Sequence, residues 1–492
     1  MRPSDNFPDY LIRQLSSNSD SRSIIMENDF TKYNTTLSEN SIIPLGSCTA
    51  SSLNNEDFAD LIEKLKGFSI SDLSSTEVVQ NLWSGVRSDF LQAMNLSADL
   101  VDLVFVPSGT DSETLISSVI LEKDHSEKLN NIVVAPLEVG SGTVLACGGR
   151  AFTEIAPDGS NWKIGQSIIP NVTEKTEVFE VPIRDSSGDI PPMKNLEKEI
   201  LRIIEESERN RFSSCLHLVA GSKTGVHAPT TKFVEELEGS LFDNLHVIVD
   251  AAQGRFSRSG IKKSLELGRI VTITASKFFG APPFCGAVLF PRKKYGGVYW
   301  REEYKSLFNE MFFSTFSNEQ IEITNGLLFR WLIGVSNMQK YYSTSPKHRL
   351  SVLKWFEEDA IEIIKSNHHL NYVEPQYFSP DEKNRLLATN KTIHTFRIEK
   401  DGIFLPIEYL REIHNKLVLS KPVGFHLGQP VTLSSKSGES GLRIALGSRL
   451  IIDSIRTIEE KNGGIEMARE KLTSIISSAC NRIEELANEF GN

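Results

Sequence analysis

Short, almost wholly apolar runs alternate along this chain with longer stretches of helical periodicity. VDLVFV (Val101–Val106), NNIVVA (Asn130–Ala135), CLHLVA (Cys215–Ala220), HVIVD (His246–Asp250), IVTITA (Ile270–Ala275) and GAVLF (Gly286–Phe290) are five or six residues each, rich in β-branched side chains. Runs this short suit strands, and the lack of apolar/polar alternation means both faces are buried, as in a parallel sheet covered by helices. The pattern therefore predicts an α/β fold, with a large domain built on a mostly parallel sheet flanked by helices. Beyond Ser343 the rhythm changes. A helix pattern (Ser351–Ser366), short strands (Thr392–Ile398, Gly441–Gly447) and a closing helix (Met467–Phe490) predict a smaller C-terminal α+β domain, reached through a hydrophobic helix near Gly326–Met338. A chain of 492 residues exceeds one core. The expected division is a polar arm with a substrate loop over 1–61, the large domain over 62–342 and the small domain over 343–492.

Candidate chemistry sits where the apolar runs end. Parallel sheets carry their ligands at the carboxyl edge of the strands. HVIVD delivers Asp250 there, followed by Ala-Ala-Gln253, and VTIT delivers Ser276-Lys277 ahead of a Gly/Pro turn. A lysine buried at a strand end either pairs with an anion or becomes a neutral, nucleophilic amine. A surface lysine is the plain alternative, and Asp250 alone reads equally as a helix cap or the partner of a base. Upstream, VFV-Pro107-Ser108-Gly109-Thr110 runs into an amphipathic helix pattern. Such a turn either cradles phosphate on backbone N–H groups, with the Thr110 hydroxyl adding a donor, or simply uses Ser108 or Asp111 as N-cap. An acid and an amine facing one crevice are what pyridoxal phosphate needs: a carboxylate for the ring nitrogen and a lysine for the aldehyde carbon.

In order, the SGT turn, VAGSKTGVHAP (Val219–Pro229), VDAAQG and SKFFGAPPFCG resemble the fold type I pyridoxal-phosphate enzymes, within them the class V aminotransferase and cysteine desulfurase group. The resemblance implies the PLP-dependent transferase fold, with Ser108, Gly109 and Thr110 on the phosphate and Thr274 on a further phosphate oxygen. Asp250 would hold the ring nitrogen, Gln253 the phenolic oxygen, and Lys277 the aldehyde as a Schiff base. It returns at KPVGFHLGQP (Lys421–Pro430) and GLRIALG, similar to the desulfurase GHHCAQP and the arginine strand after it. Arg443 would then grip a substrate carboxylate with its bidentate fork. Leu427 stands where that family has its nucleophilic cysteine, and none of Cys48, Cys147, Cys215, Cys285 and Cys480 falls in the segment, so desulfuration by this route is not expected. His426 beside it is a polar contact or a packed structural histidine. The histidine that stacks on the ring in many relatives is missing from Val133–Phe152, leaving Val139 to pack the ring or Glu138 and Ser141 to approach the substrate. The stretch SIIPLGSCT resembles the PLGSCT of the glycine-cleavage decarboxylase, placing Ser47 and Thr49 at the entrance unless they only start a helix. Lys223, facing the cofactor, and Thr324, reaching a partner subunit's phosphate, complete the candidates.

Charge and cysteine usage narrow the classes. A formal net charge of -11 leaves no basic footprint for nucleic acid. Five dispersed cysteines and a start without an apolar leader point to a reducing, cytoplasmic setting; no run has transmembrane length, and no metal site is expected. The expected activity is that of a PLP-dependent enzyme acting on an amino acid or amine through Lys277, as a homodimer with active sites at the subunit interface. Aminotransfer comes first, from its frequency in the family and from Arg443; a carbon–sulfur or other lyase, or a decarboxylase, is the alternative. A non-catalytic scaffold retaining the fold is the remote one.

Overall fold

The computed structural model describes residues 6–26, 29–38, 41–157, 159–240, 242–296, 314–317, 320–374, 392–434 and 438–489. After a first strand β1 (Ile43–Leu45) come β2 (Val101–Val106), β3 (Leu129–Val134), β4 (Thr176–Val181), β5 (Ser213–Ala220), β6 (His227–Ala228), β7 (Leu245–Ala251), β8 (Ile270–Thr274) and β9 (Gly286–Pro291). β2 to β9 make one sheet in the order β2-β9-β8-β7-β5-β3-β4, with β6 paired to β5. β4, β3, β5, β7 and β8 run parallel, whereas β9 is antiparallel to both β8 and β2. The six apolar runs are thus all strands of one sheet, and β3, β5, β8 and β9 are buried at every position. β4 was not among the expected strands; its TEVFEV is half exposed and carries two glutamates at the sheet edge.

Register brings the strand ends together. Val219 of β5 pairs with Asp250 of β7, and Asp250 pairs with Thr272 of β8. Thr274 pairs with Gly286 of β9, whose other neighbour is Val106 at the end of β2. A Cβ at Gly286 would lie 2.7 Å from the carbonyl carbon of Ser108, so only glycine lets the turn after β2 pack on β9.

β10 (Ser314–Ser317) and β11 (Gln320–Ile323) form a separate antiparallel pair. The second main sheet contains β12 (Leu370–Val373), β13 (Ile393–Lys400), β14 (Ile403–Phe404), β15 (Phe425–Thr432) and β16 (Ser440–Ala445), in the order β1-β15-β16-β13-β12 with β14 on β13. The arm therefore contributes a strand to the C-terminal sheet, with Leu45 beside Leu427. The helix Gly326–Ser343 is buried on nearly every side. Its Arg330 donates to the carbonyls of Leu15 (2.7 Å), Ser17 (2.6 Å), Asn18 (2.7 Å) and Phe284 (2.7 Å), fastening the arm to the loop that follows Lys277. The large-domain core is aromatic at its centre, where Phe105 lies 5.1 Å from Trp83 and 4.7 Å from Trp331, centroid to centroid. Among the described residues no helix is long and apolar enough to cross a membrane.

Candidate active site

The carboxyl edge of the large sheet, the arm and the C-terminal sheet enclose a cavity of about 460 Å³. One wall is the turn after β2. Ser108 is the N-cap of the helix Gly109–Asp124: its Oγ accepts the Asp111 N–H (3.2 Å) and donates to Asp111 Oδ2 (2.6 Å). Ser108, Gly109 and Thr110 all line the cavity, so the cap and the cavity wall are the same residues. The Thr110 hydroxyl has no side-chain hydrogen bond among the described residues, and a Cβ at Gly140 across from it would lie only 2.8 Å from that oxygen. Burial, opposed by the Ser108 hydrogen bond, pushes the Asp111 carboxyl up to about 7. Thr274 also lines the cavity, but its hydroxyl donates to Ala252 O (2.7 Å), which commits its only proton.

Asp250 and Lys277 line this same cavity. Asp250 accepts the Ala252 N–H (3.0 Å). Burial lowers the Lys277 ammonium, opposed by the charge of Asp250, yet among the described residues the two form no ion pair. Gln253 is fixed from both ends. Its Nε2 donates to Cys48 O (3.2 Å) and its Oε1 accepts from Arg255 (3.1 Å), leaving one amide proton uncommitted. Arg255 is a buried hub that also donates to Thr392 Oγ1 (2.6 Å), Ser47 Oγ (2.7 Å) and Leu446 O (3.1 Å).

Glu113, which also lines the cavity, is buried with Cys147 and His217, their ligand-type atoms within 4.8 Å of one another. Hydrogen bonds argue against a metal there. Ser117 donates to Cys147 O, Asn131 Nδ2 donates to Ser117, and Asn131 Oδ1 therefore accepts the proton of His217 Nε2 (2.7 Å), the nitrogen a metal would need. Burial, with the charge of Asp250 adding to it, raises the Glu113 carboxyl well above its usual range.

The arm, the loop Gly221–Gly225 and the C-terminal sheet supply the rest of the lining. Arg443 is buried on β16 and lines the cavity, but its fork does not face it freely. Nε and Nη2 donate to Gln429 O (3.1 and 2.6 Å), Nη1 to Lys223 O (2.9 Å) and Nη2 to Thr49 Oγ1 (3.1 Å). One Nη1 proton remains, so the bidentate grip expected from sequence is reduced to a single N–H plus the charge. Glu138 lines the cavity yet is held by Arg184 Nε (2.5 Å), Ser222 Oγ (2.5 Å) and Thr224 Oγ1 (2.5 Å). Burial raises its pKa, but the Arg184 charge and the hydroxyl donors outweigh that and the net shift is downward, so it is a fixed carboxylate. Val139 and Ser141 are at the cavity wall.

Three candidates lie outside the lining. Ser47 donates to Ala445 O (3.2 Å) and accepts from Arg255. His426 donates from Nε2 to Tyr33 O (2.9 Å), the packed structural role. Thr324 accepts from Asn18 Nδ2 (2.6 Å) beside the arm. Leu427 is fully buried; Cys48, brought alongside by the arm, is the cysteine that lines the cavity among the described residues. Arg22, Tyr33, Ser276, Arg411 and Gln429 also line it and had no signal in the sequence, apart from Ser276 preceding the lysine and Gln429 in the GQP turn.

No family model matches the sequence, and no curated protein matches it. Solved structures do. A NifS-like protein superposes with a TM-score of 0.53 at 12% identity, covering 89% of this chain and 99% of its own. The glutamate decarboxylase domain of a diaminobutyrate-pyruvate transaminase and L-2,4-diaminobutyrate decarboxylase from Vibrio parahaemolyticus superposes with a TM-score of 0.51 at 12% identity, covering 93% and 83%. At this identity the likeness concerns architecture: the chain has the α/β PLP-dependent transferase fold, with a large sheet domain and a smaller C-terminal domain.

Proposed function

We propose that this chain is a pyridoxal-phosphate-dependent enzyme acting on an amino acid, with aminotransfer as the reaction. The observation that carries the reading is the placement of Lys277 and Asp250 on one cavity, unpaired, with the Ser108–Thr110 turn in the same wall. The residues present fit the group. The Thr110 hydroxyl and the helix start suit a phosphate, the space before Gly140 admits no Cβ, and about 460 Å³ lies within the usual range for a cofactor-sized ligand. Ser108, Gly109 and Thr110 would hold the phosphate, Asp250 the ring nitrogen, Gln253 the phenolic oxygen and Lys277 the aldehyde carbon. When bound, the cofactor supplies an electron sink for the substrate Cα.

The chain's own residues do the rest. Burial lowers the Lys277 ammonium and so favours the free amine, the form that takes a proton from Cα and returns it. Gln253, immobilised by Arg255 and Cys48, presents a fixed N–H. Arg443, with its one uncommitted N–H, and the Thr49 hydroxyl hold the substrate carboxylate. That pair favours a reaction in which the carboxylate is retained, since expelling it as carbon dioxide would strip the guanidinium of its anion. Although one structural neighbour is a glutamate decarboxylase domain, decarboxylation is on this ground the poorer reading; elimination, which also retains the carboxylate, is the second. Incubation of the loaded protein with single amino acids tests this. Recovery of the keto acid with pyridoxamine phosphate is expected, ammonia indicates elimination, and carbon dioxide overturns the reading.

A further inference from the structure

Resting on that reading of the cavity, the geometry points to a substrate with a second acidic group, an amino acid whose side chain ends in a carboxylate or other oxyanion, received by the Lys223 ammonium beside the Arg443 and Thr49 groups that take the first carboxylate. The cavity is lined by the cations Arg22, Lys223, Lys277, Arg411 and Arg443. Arg22 is paired with Asp20, and Lys277 faces Asp250. Lys223, Arg411 and Arg443 have no carboxylate partner among the described residues, and the remaining lining acids are committed: Glu138 to Arg184, and Glu113 to the Cys147 thiol, with its carboxyl raised well above its usual range by burial. With the cofactor phosphate held by the Ser108–Thr110 turn, one substrate carboxylate offsets Arg443 and a second acidic group offsets Lys223.

Lys223 and Arg443 are locked together. The Lys223 N–H donates to Glu138 O (2.9 Å) and its carbonyl accepts Arg443 Nη1 (2.9 Å), so two like charges are held in a partly desolvated wall. The Lys223 ammonium makes one hydrogen bond, to Leu137 O (3.3 Å), leaving two protons uncommitted. Burial, then Arg443 and Lys277, with Glu138 opposing, lower its pKa to about 8. Arg443 meets only neutral acceptors. Thr49 Oγ1 accepts from Arg443 Nη2 (3.1 Å) and from the Gln429 N–H (3.1 Å), so both its lone pairs are filled and its own proton is directed to a third partner. The ammonium, the hydroxyl proton and the guanidinium N–H belong to three residues that all line the cavity. Two acidic groups on one substrate relieve the repulsion and satisfy the donors together.

Calorimetric titration of the full chain, with and without bound pyridoxal phosphate, against glutarate and the monoacid butyrate tests this. Glutarate is expected to bind at least tenfold more tightly at pH 7, the preference fading above pH 8 as Lys223 deprotonates while Arg443 stays charged. Lys223→Met should reduce the preference below threefold with butyrate affinity unchanged, Lys223→Arg should retain it, and Thr49→Val should weaken both acids. Equal binding of the two acids overturns the proposal. So does a Lys223→Met protein that keeps the preference but loses cofactor affinity, since Lys223 would then serve the cofactor phosphate. Visible absorbance of the same samples separates the two readings: a preference in protein that takes up no cofactor leaves the anion subsite standing and removes the cofactor reading, and coloured protein without a preference does the reverse.

Discussion

Replacing Glu138 should destabilise the protein more than any other single change at the cavity wall. Glu138 is 4% exposed, and its carboxylate receives Arg184 Nε, Ser222 Oγ and Thr224 Oγ1, each at 2.5 Å. Removing one member of a buried pair strands the other, at about 3–5 kcal/mol. Glu138→Ala is therefore expected to lose about 3–5 kcal/mol, because it leaves the mostly buried Arg184 without its anion. Glu138→Gln keeps an acceptor for the hydroxyls but not the charge, and should lose about 1.5–3 kcal/mol. The pH dependence has a definite sign. The folded carboxyl titrates below its ordinary 4.5, so its stabilisation is complete above 4.5 and disappears as pH falls through the folded value. The gap between wild type and Glu138→Gln should accordingly be widest at neutral pH and close in acid. Urea unfolding, with the midpoint compared at constant slope, measures both effects. A Glu138→Ala protein within about 1 kcal/mol of wild type at pH 7 would refute the reasoning, since no value that small fits a stranded, buried guanidinium.

Arg255→Met should cut cofactor affinity at least tenfold while leaving Asp250 and Lys277 in place, because Gln253 loses its orienting partner and Ser47, Thr392 and Leu446 lose a donor; equilibrium titration with pyridoxal phosphate reads this, and unchanged affinity contradicts it. Asp111 carries the opposite pH sign from Glu138. Its folded pKa is raised from 3.8 to about 7, so in protein without cofactor stability should fall as pH rises across that window, by on the order of 4 kcal/mol, and Asp111→Asn should flatten the profile; a wild-type profile flat from pH 4 to 7 contradicts that. Phe105→Ala, removing the ring between Trp83 and Trp331, should cost about 3–5 kcal/mol in the same urea assay, and a loss under about 1 kcal/mol would mean the cluster collapses around the gap.

The large sheet was legible because its strands are buried on both faces and read as unbroken apolar runs. β4 was not, since an edge strand half in water intersperses glutamates with valines and resembles a polar helix or loop. β1 was not either; three residues around Pro44 carry no period, and their role appears only in pairing with β15, nearly four hundred residues later. The same contrast holds at the site. Asp250, Lys277 and Gly109 stand where apolar runs stop, a position that sequence marks directly. Arg22 and Tyr33 come from an arm without periodicity that is placed by tertiary contacts such as those of Arg330. The commitment of the Arg443 fork was invisible because its acceptors are mainly backbone carbonyls of Gln429 and Lys223, which no side-chain pattern reports. Glu138 read as a group approaching the substrate because its partner Arg184 lies 46 residues on, across the sheet edge.

The placement of Lys277 against Asp250 is tested most directly by mixing the purified chain with pyridoxal phosphate, reducing with borohydride and locating the cofactor by peptide mass spectrometry. The account predicts a visible band that reduction abolishes, a single labelled peptide with the modification on Lys277, and no band in Lys277→Ala. Label on Lys223 or on surface lysines instead, or full colour in Lys277→Ala, would contradict it.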